Sequence, residues 1–208
     1  MNVIKLNDCG TRAVLHRHGL STSRRLGKGA TCAVYEDGPD AVIKLTADPV
    51  QWESVRDYLG GVHFPALVES IGHVGTQRAG DRELYMFKAE RLRRVRDADA
   101  ATRKQARHLL KVVDRFWGSA DAKKALHQRG TIASRRSACS VVVLERLAEC
   151  PDLPRSMQEA CEDLLRLVMD YQNLNLDFQE RNLMVRGTGD IVFNDVVIDA
   201  SLLWGNMC

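Results

Sequence analysis

The stretch from Leu176 to Asp199, L-D-F-Q-E-R-N-L-M-V-R-G-T-G-D-I-V-F-N-D-V-V-I-D, constrains this chain more than any other. Asp177 is followed five residues later by Asn182, then by the apolar run Leu183, Met184 and Val185. A Gly-Thr-Gly turn (Gly187 to Gly189), a second apolar run (Ile191, Val192, Phe193) and Asp195 complete it. Two short apolar runs around a glycine turn make a hairpin, so the segment reads as polar loop, strand, tight turn, and strand ending in a carboxylate. Such a ribbon brings two carboxylates and one amide carbonyl to one end. Oxygen donors of this kind suit a hard cation such as Mg²⁺, and a carboxylate held off the metal can orient a hydroxyl nucleophile. The outline is that of phosphoryl transfer.

These residues resemble the catalytic loop and metal-binding strand of the protein-kinase superfamily, with D-x-x-x-x-N at Asp177 to Asn182 and a further Asp thirteen residues later at Asp195. The resemblance implies Asp177 as catalytic base and Asn182 and Asp195 as Mg²⁺ ligands. Departures are present: Asn175 and Leu176 stand in place of His and Arg of H-R-D, Gln179 replaces the usual Lys, and Val196-Val197 replaces Phe-Gly. The missing Arg argues against activation through a phosphorylated loop.

Nearer the start, R-L-G-K-G-A-T-C-A-V-Y from Arg25 is followed by E-D-G-P-D and A-V-I-K-L, a pattern of strand, glycine turn, strand and a third strand from Ala41 to Leu45. A lone G-x-G is compatible with a plain hairpin. It equally lets backbone N–H groups approach a phosphate, and here it precedes A-V-I-K, which resembles the kinase lysine strand. On that resemblance Gly27, Lys28, Gly29, Ala30 and Thr31 cover the ATP phosphates and Lys44 holds them, with Cys32 where a third glycine would stand. Asp48 and Pro49 open a helix toward Leu59, closed by Gly60-Gly61. Glu53, in preference to Asp57, is the carboxylate to pair with Lys44; both being surface groups is the competing reading. Phe64 to Ile71 and Leu84 to Ala89 read as two further strands around a polar loop, Gly72 to Arg82. The resemblance puts an adenine-binding hinge near Lys88 to Leu92, Glu90 included, with Phe87 as a pocket or core residue.

The section from Arg91 to Arg136 is basic: Arg91, Arg93, Arg94, Arg96, Arg103, Lys104, Arg107, Lys111, Arg115, Lys123, Lys124, Arg129, Arg135 and Arg136. Leu109, Leu110, Val112, Val113, Phe116 and Trp117 have helical spacing, so a solvated helix face accounts for much of that charge. A docking surface for an acidic partner or nucleic acid is the alternative, without an aromatic ladder to favour nucleic acid. Val141 to Leu147 is a short strand or helix start, and Ser156 opens a helix to about Asn173 that delivers the chain to Asp177. The first 20 residues read as a lead-in strand or helix; His16 and His18 could contact a nucleotide or metal, but with no partner ligand at a useful spacing a solvated basic turn is the expected reading.

At 208 residues, 45% apolar and 27% charged with net charge +3, the chain is expected to be globular, without the run of roughly 18 apolar residues that a membrane span needs. No signal-peptide pattern is present at the start, and a cytoplasmic protein is expected. Cys9, Cys32, Cys139, Cys150, Cys161 and Cys208 show no zinc spacing and read as small buried hydrophobes.

Together these readings give an α+β, two-lobed protein-kinase-like fold: an antiparallel-sheet lobe over residues 1–90 and a mainly helical, truncated lobe over 91–208. The abbreviated tail, without A-P-E or docking helices, looks most like the serine/threonine kinase domains of lytic podophages. That resemblance implies ATP and Mg²⁺ as cofactors and host proteins, transcription machinery among them, as acceptors in a bacterial cytoplasm. Two other functions fit: a kinase-like protein that inhibits a host enzyme such as RNA polymerase by occupancy, and a small-molecule phosphotransferase of the aminoglycoside or choline type.

Overall fold

Alternating apolar and polar residues in the first half, cut by glycine turns, dictate strands. The computed structural model, which describes residues 3–128, 130–171 and 173–204, shows them joined in one antiparallel sheet. The chain divides into two compact units, one comprising residues 1–57 and 66–91, the other 58–65 and 92–208.

The first unit begins with α1 (Cys9–Arg17) and continues through β1 (Arg25–Lys28), β2 (Cys32–Glu36) and β3 (Ala41–Thr46). Then come α2 (Pro49–Glu53), β4 (Leu67–Gln77) and β5 (Arg82–Glu90), and the sheet order is β1-β2-β3-β5-β4. Asp8 explains where α1 starts: its carboxylate accepts from the N–H of Gly10 and Thr11. The same carboxylate accepts from Arg78 and Ala79 at the β4–β5 turn, tying helix to sheet. Gly10 is required there, since a Cβ would lie 2.1 Å from the Thr76 carbonyl oxygen. Of the two forms open for the lead-in it takes the helix, with His16 exposed on it and His18 capping its end.

β4 runs ten residues past Leu67, through what the glycines suggest is a loop from Gly72 to Arg82. Gly72 and Gly75 have positive φ (90° and 152°) and sit where the β4–β5 register shifts, so they make bulges in a continuous strand and do not end it. The helix expected to reach Leu59 is α only to Glu53 and finishes as a π turn, Ser54–Tyr58.

The second unit contains β6 (Arg93–Arg94), α3 (Ala100–Trp117), α4 (Ala120–Leu126), α5 (Ile132–Ala148) and α6 (Arg155–Asp170). β7 (Leu174–Leu176), β8 (Leu183–Val185), β9 (Ile191–Phe193), β10 (Val197–Asp199) and α7 (Ala200–Trp204) follow. Side-chain caps set the helix starts: Asp99 accepts from Thr102, Ser119 from Ala122, and Thr131 from Ser134. The Val141–Val143 run lies inside α5, not in a strand; Val143, Leu144 and Leu147 are buried there, and packing overrides β-propensity. α6 ends at Asp170, three residues short of expectation, and Asn173 turns the chain with φ 74°. α5 packs against α3, α4, α6 and β7, which puts it at the centre of the unit.

Of the cysteines, Cys32, Cys139, Cys150 and Cys161 are buried as expected, whereas Cys9 is exposed at the start of α1. Cys208 and Arg129 lie outside the described residues. Among the described residues no helix is long and apolar enough to cross a membrane.

Candidate active site

Twelve residues after α6 ends at Asp170, the chain has passed through β7 and a one-turn helix at Glu180–Asn182. β7 pairs antiparallel with β10, Leu176 facing Val197 and Leu174 facing Asp199. Its backbone is also held by α5: the Leu176 N–H donates to Ser140 Oγ (3.0 Å), and that hydroxyl donates to the Arg136 carbonyl (2.9 Å). Ser140 lies 3.4 Å from Asn175 Oδ1, and both residues are buried. Asn175 therefore has a structural partner where the kinase pattern has His.

Beyond β7, Asp177 enters a dense set of hydrogen bonds. Its N–H donates to the Val196 carbonyl at 2.7 Å. Its carboxylate accepts from Gln179 Nε2 on one oxygen (2.7 Å), and from Asn182 Nδ2 (2.8 Å) and Arg181 (3.1 Å) on the other. Asn182 Nδ2 also reaches the Asp177 carbonyl at 2.8 Å. An ionised carboxylate has about four lone-pair sites, so these three donors leave capacity for one substrate hydroxyl. Gln179, in the place of a kinase lysine, acts as a neutral donor that orients Asp177.

Asp195 is placed by backbone on both sides. The Asn194 N–H donates to the Asn182 carbonyl at 2.9 Å, and Val196, the next residue along, accepts from Asp177. Asp195 is thus bracketed between the two ends of the D-x-x-x-x-N loop, its carboxylate accepting from Asn194 Nδ2 at 3.1 Å. Asn182 is 8% exposed, and with its amide nitrogen turned to Asp177 the oxygen is the atom left to face a cation. Mg²⁺ keeps several waters and takes one or two carboxylates plus phosphate oxygens. One carboxylate and one amide oxygen fit that habit, and among the described residues no group of three or more His, Cys, Asp or Glu forms a self-sufficient metal cage.

Phe178 holds the loop from below. Its ring meets Phe193 edge-on with centroids 5.2 Å apart, and Phe64 meets Phe193 the same way at 5.9 Å. His63 stacks on Phe193, its Nδ1 lies 2.7 Å from the Ile191 carbonyl, and its Nε2 lies 2.9 Å from Ser156 Oγ. Arg186 donates to the carbonyls of Val62 and Phe64. These bonds explain why residues 58–65 belong with the second unit although their neighbours in sequence do not. His63 and Ser140 gave no sequence signal: an isolated His and an isolated Ser carry no spacing that would single them out.

In the first unit, cross-strand register sets Val34, Lys44 and Phe87 side by side on one face of the sheet. Lys44 is 3% exposed, with Nζ 5.9 Å from the Phe87 ring centroid. Val42, Phe87 and Ala89 form a core patch against which Trp52 and Val55 pack, so α2 covers the face that carries Lys44. Phe87 is fully buried there and serves as core. Glu53 closes α2 and is half-buried; the Tyr85 hydroxyl, pushed up to about 12 by its hydrogen bond to Glu83, by burial and by the charge of Glu83, feels the charge of Glu53 as well. Gly27 and Lys28 are paired in β1, so the expected Gly27–Thr31 loop narrows to Gly29–Thr31, a tight connection in which the Gly29 N–H donates to the Cys32 carbonyl. A Cβ at Gly27 would meet nothing within 4 Å, and neither Gly27 nor Gly29 has positive φ. Neither packing nor backbone conformation demands these two glycines. The turn is anchored beyond them: the Ala30 carbonyl accepts from both Val3 and Ile4 N–H, and Thr31, itself buried, accepts from Ala47 N–H. Glu90 is tied to Ala66 twice: its N–H donates to the Ala66 carbonyl, and its carboxylate accepts from the Ala66 N–H.

The basic section is dispersed over several elements. Arg91 pairs with Glu36 and Arg115 with Asp152, while Lys104, Arg107 and Lys111 are exposed on α3, opposite its buried Ala106, Leu109 and Val113.

No protein-family model matches the chain, and no curated protein matches it significantly. Among solved structures, it is similar to a thermostable mutant of aminoglycoside phosphotransferase APH(4)-Ia in its apo form, at 15% identity and TM-score 0.38, over 91% of this chain and 70% of that one. A ternary complex of the same enzyme with ADP and hygromycin B gives 14% identity and TM-score 0.36, over 95% and 71%.

Proposed function

We propose that this chain is a Mg-ATP-dependent phosphotransferase of protein-kinase type that phosphorylates a Ser or Thr hydroxyl on a protein. The observation that carries the reading is the bracketing of Asp195 between Asp177 and Asn182: two backbone hydrogen bonds and the Asn182 amide bring together the oxygen donors the chemistry needs. In this reading Asp177 accepts the hydrogen bond of the acceptor hydroxyl and aims its oxygen at the γ-phosphorus. The new O–P bond forms as the bond to the β–γ bridging oxygen breaks, ADP leaves, and the hydroxyl proton passes to Asp177 and then to solvent. Asn182 and Asp195 would hold Mg²⁺, whose charge offsets that of the phosphates as the leaving oxygen develops. Lys44 is the cation assigned to the α and β phosphates, and the open backbone at Gly27 suits close approach of a ligand.

A second reading, transfer to a small-molecule hydroxyl, uses the same three residues, and it is the activity named for the two solved structures above. Purified protein with γ-labelled ATP, offered a protein lysate, serine and threonine peptides and aminosugars, separates the two. Labelled protein that disappears in Asp177→Ala supports the kinase; labelled aminosugar alone supports the second reading. Absence of any transfer overturns both and leaves inhibition by occupancy.

A further inference from the structure

Beside the catalytic loop lies a groove of about 500 Å³ lined by Arg94, Val95, Arg96, Glu180, Arg181, Leu183 and Met184. Its position follows from pairing in the second unit: β6 lies along β8 with Arg94 opposite Met184, two residues beyond Asn182. Val95 and Leu183 are buried and give an apolar floor, while Arg94, Arg96, Glu180 and Arg181 are exposed around it. Three guanidinium groups thus face a single lining carboxylate. Arg181 also donates to Asp177 at 3.1 Å, so the groove begins one side chain away from the residue that orients the acceptor. Arg96 has only a loose contact with Asp97 at 3.7 Å, and Arg94 has no carboxylate partner among the described residues.

We infer that this groove selects the phosphate acceptor by receiving an acidic protein segment, whose Asp or Glu carboxylates seat on Arg94 and Arg96 and present a neighbouring Ser or Thr to Asp177. The inference rests on the phosphotransfer reading and narrows its acceptor. Clustered guanidinium groups repel one another until an anion sits among them, and their fork geometry matches carboxylates two-point. A polycationic acceptor such as an aminosugar would meet repulsion at the same place. A single-stranded nucleic acid would find no aromatic ring among the lining residues on which to stack a base. The apolar floor of Val95, Leu183 and Met184 suits the aliphatic parts of a peptide.

The test uses full-length protein and two fluorescein-labelled peptides with one central Ser, one flanked by Asp and Glu, the other by Lys. Anisotropy is read without ATP, and transfer is measured separately with Mg-ATP. The acidic peptide is expected to bind, more weakly as salt rises, and the basic one not to. Arg94→Glu/Arg96→Glu should weaken acidic-peptide binding at least about tenfold and raise its KM, while the KM for ATP stays within about twofold. Arg94→Lys/Arg96→Lys should recover part of the loss, and an unchanged circular dichroism spectrum shows that the fold is retained. Equal or better binding of the basic peptide, an acidic affinity unmoved in the charge-reversed protein, or displacement by an oligonucleotide at lower concentration than by acidic peptide would each overturn the inference. Binding of the acidic peptide without any transfer overturns the phosphotransfer reading instead, and transfer to basic peptides alone overturns only the groove's role.

Discussion

Replacing Ser140 by Ala should loosen the loop that carries Asp177 from a position whose hydrogen bonds go to Arg136, Asn175 and Leu176 and not to Asp177 itself. The hydroxyl is buried, accepts from the Leu176 N–H at 3.0 Å and donates to the Arg136 carbonyl at 2.9 Å. Leu176 is 4% exposed, so its amide has no water to turn to once the oxygen is gone. An orphaned buried donor costs about 1–3 kcal/mol; for a domain of this size about 2 kcal/mol lowers the melting temperature by roughly 4–8 °C. Because Leu176 immediately precedes Asp177, kcat should fall along with stability, while the KM for ATP changes little. Urea denaturation gives the stability change, and hydrogen exchange at Leu176 gives the local one: its amide should exchange faster than those of β9. A Ser140→Ala protein within about 0.5 kcal/mol of wild type, with the Leu176 amide still protected, would refute the account of how β7 is anchored.

Three further outcomes are expected. Ile4→Ala, at a fully buried side chain whose N–H holds the Ala30 carbonyl, should cost about 2–5 kcal/mol and speed exchange at Gly29 to Thr31, read by hydrogen-exchange mass spectrometry. At pH 8 a thiol reagent should modify exposed Cys9 in the native protein and spare Cys139 and Cys161, whose thiols burial pushes up to about 11 and about 12, until urea is added; peptide mapping reads this. Asp8 feels partial desolvation, which raises its pKa, but the N–H groups of Ala79, Arg78, Thr11 and Gly10 together hold it below its ordinary 3.8. A depressed pKa means its contribution is fully present above about 4 and is lost as pH falls through the lower, folded value, so Asp8→Asn should lose stability at neutral pH and show a flatter acid transition by circular dichroism.

Much of the fold was legible because its signals are local. The Leu183–Val185 and Ile191–Phe193 runs form the hairpin that their glycine turn dictates. The alternation from Cys32 to Thr46 gives β2 and β3, and the apolar spacing around Leu109 gives α3. Illegible parts depended on distant partners. Gly72 and Gly75 look like loop residues until β5 is there to accommodate their bulges, and the valines of α5 fit a strand or a helix start equally until α3 and α6 cover them. In the site, the spacing of Asp177, Asn182 and Asp195 was visible, but the links through Val196 and Asn194 are backbone bonds that no side-chain pattern encodes. The groove arginines stood in the list of basic residues without distinction. Only the β6–β8 pairing separates Arg94 and Arg96 from the solvated charges of α3.

Calorimetric titration of ATP with and without Mg²⁺, on wild type and Asp195→Ala, addresses the central claim most directly. Wild type should bind ATP markedly more tightly when Mg²⁺ is present, and Asp195→Ala should abolish that difference while keeping its melting temperature close to wild type. Nucleotide binding that ignores Mg²⁺ in wild type, or an Asp195→Ala protein that retains the full Mg²⁺ effect, would contradict the assignment of Asp195 and Asn182 as the cation's ligands.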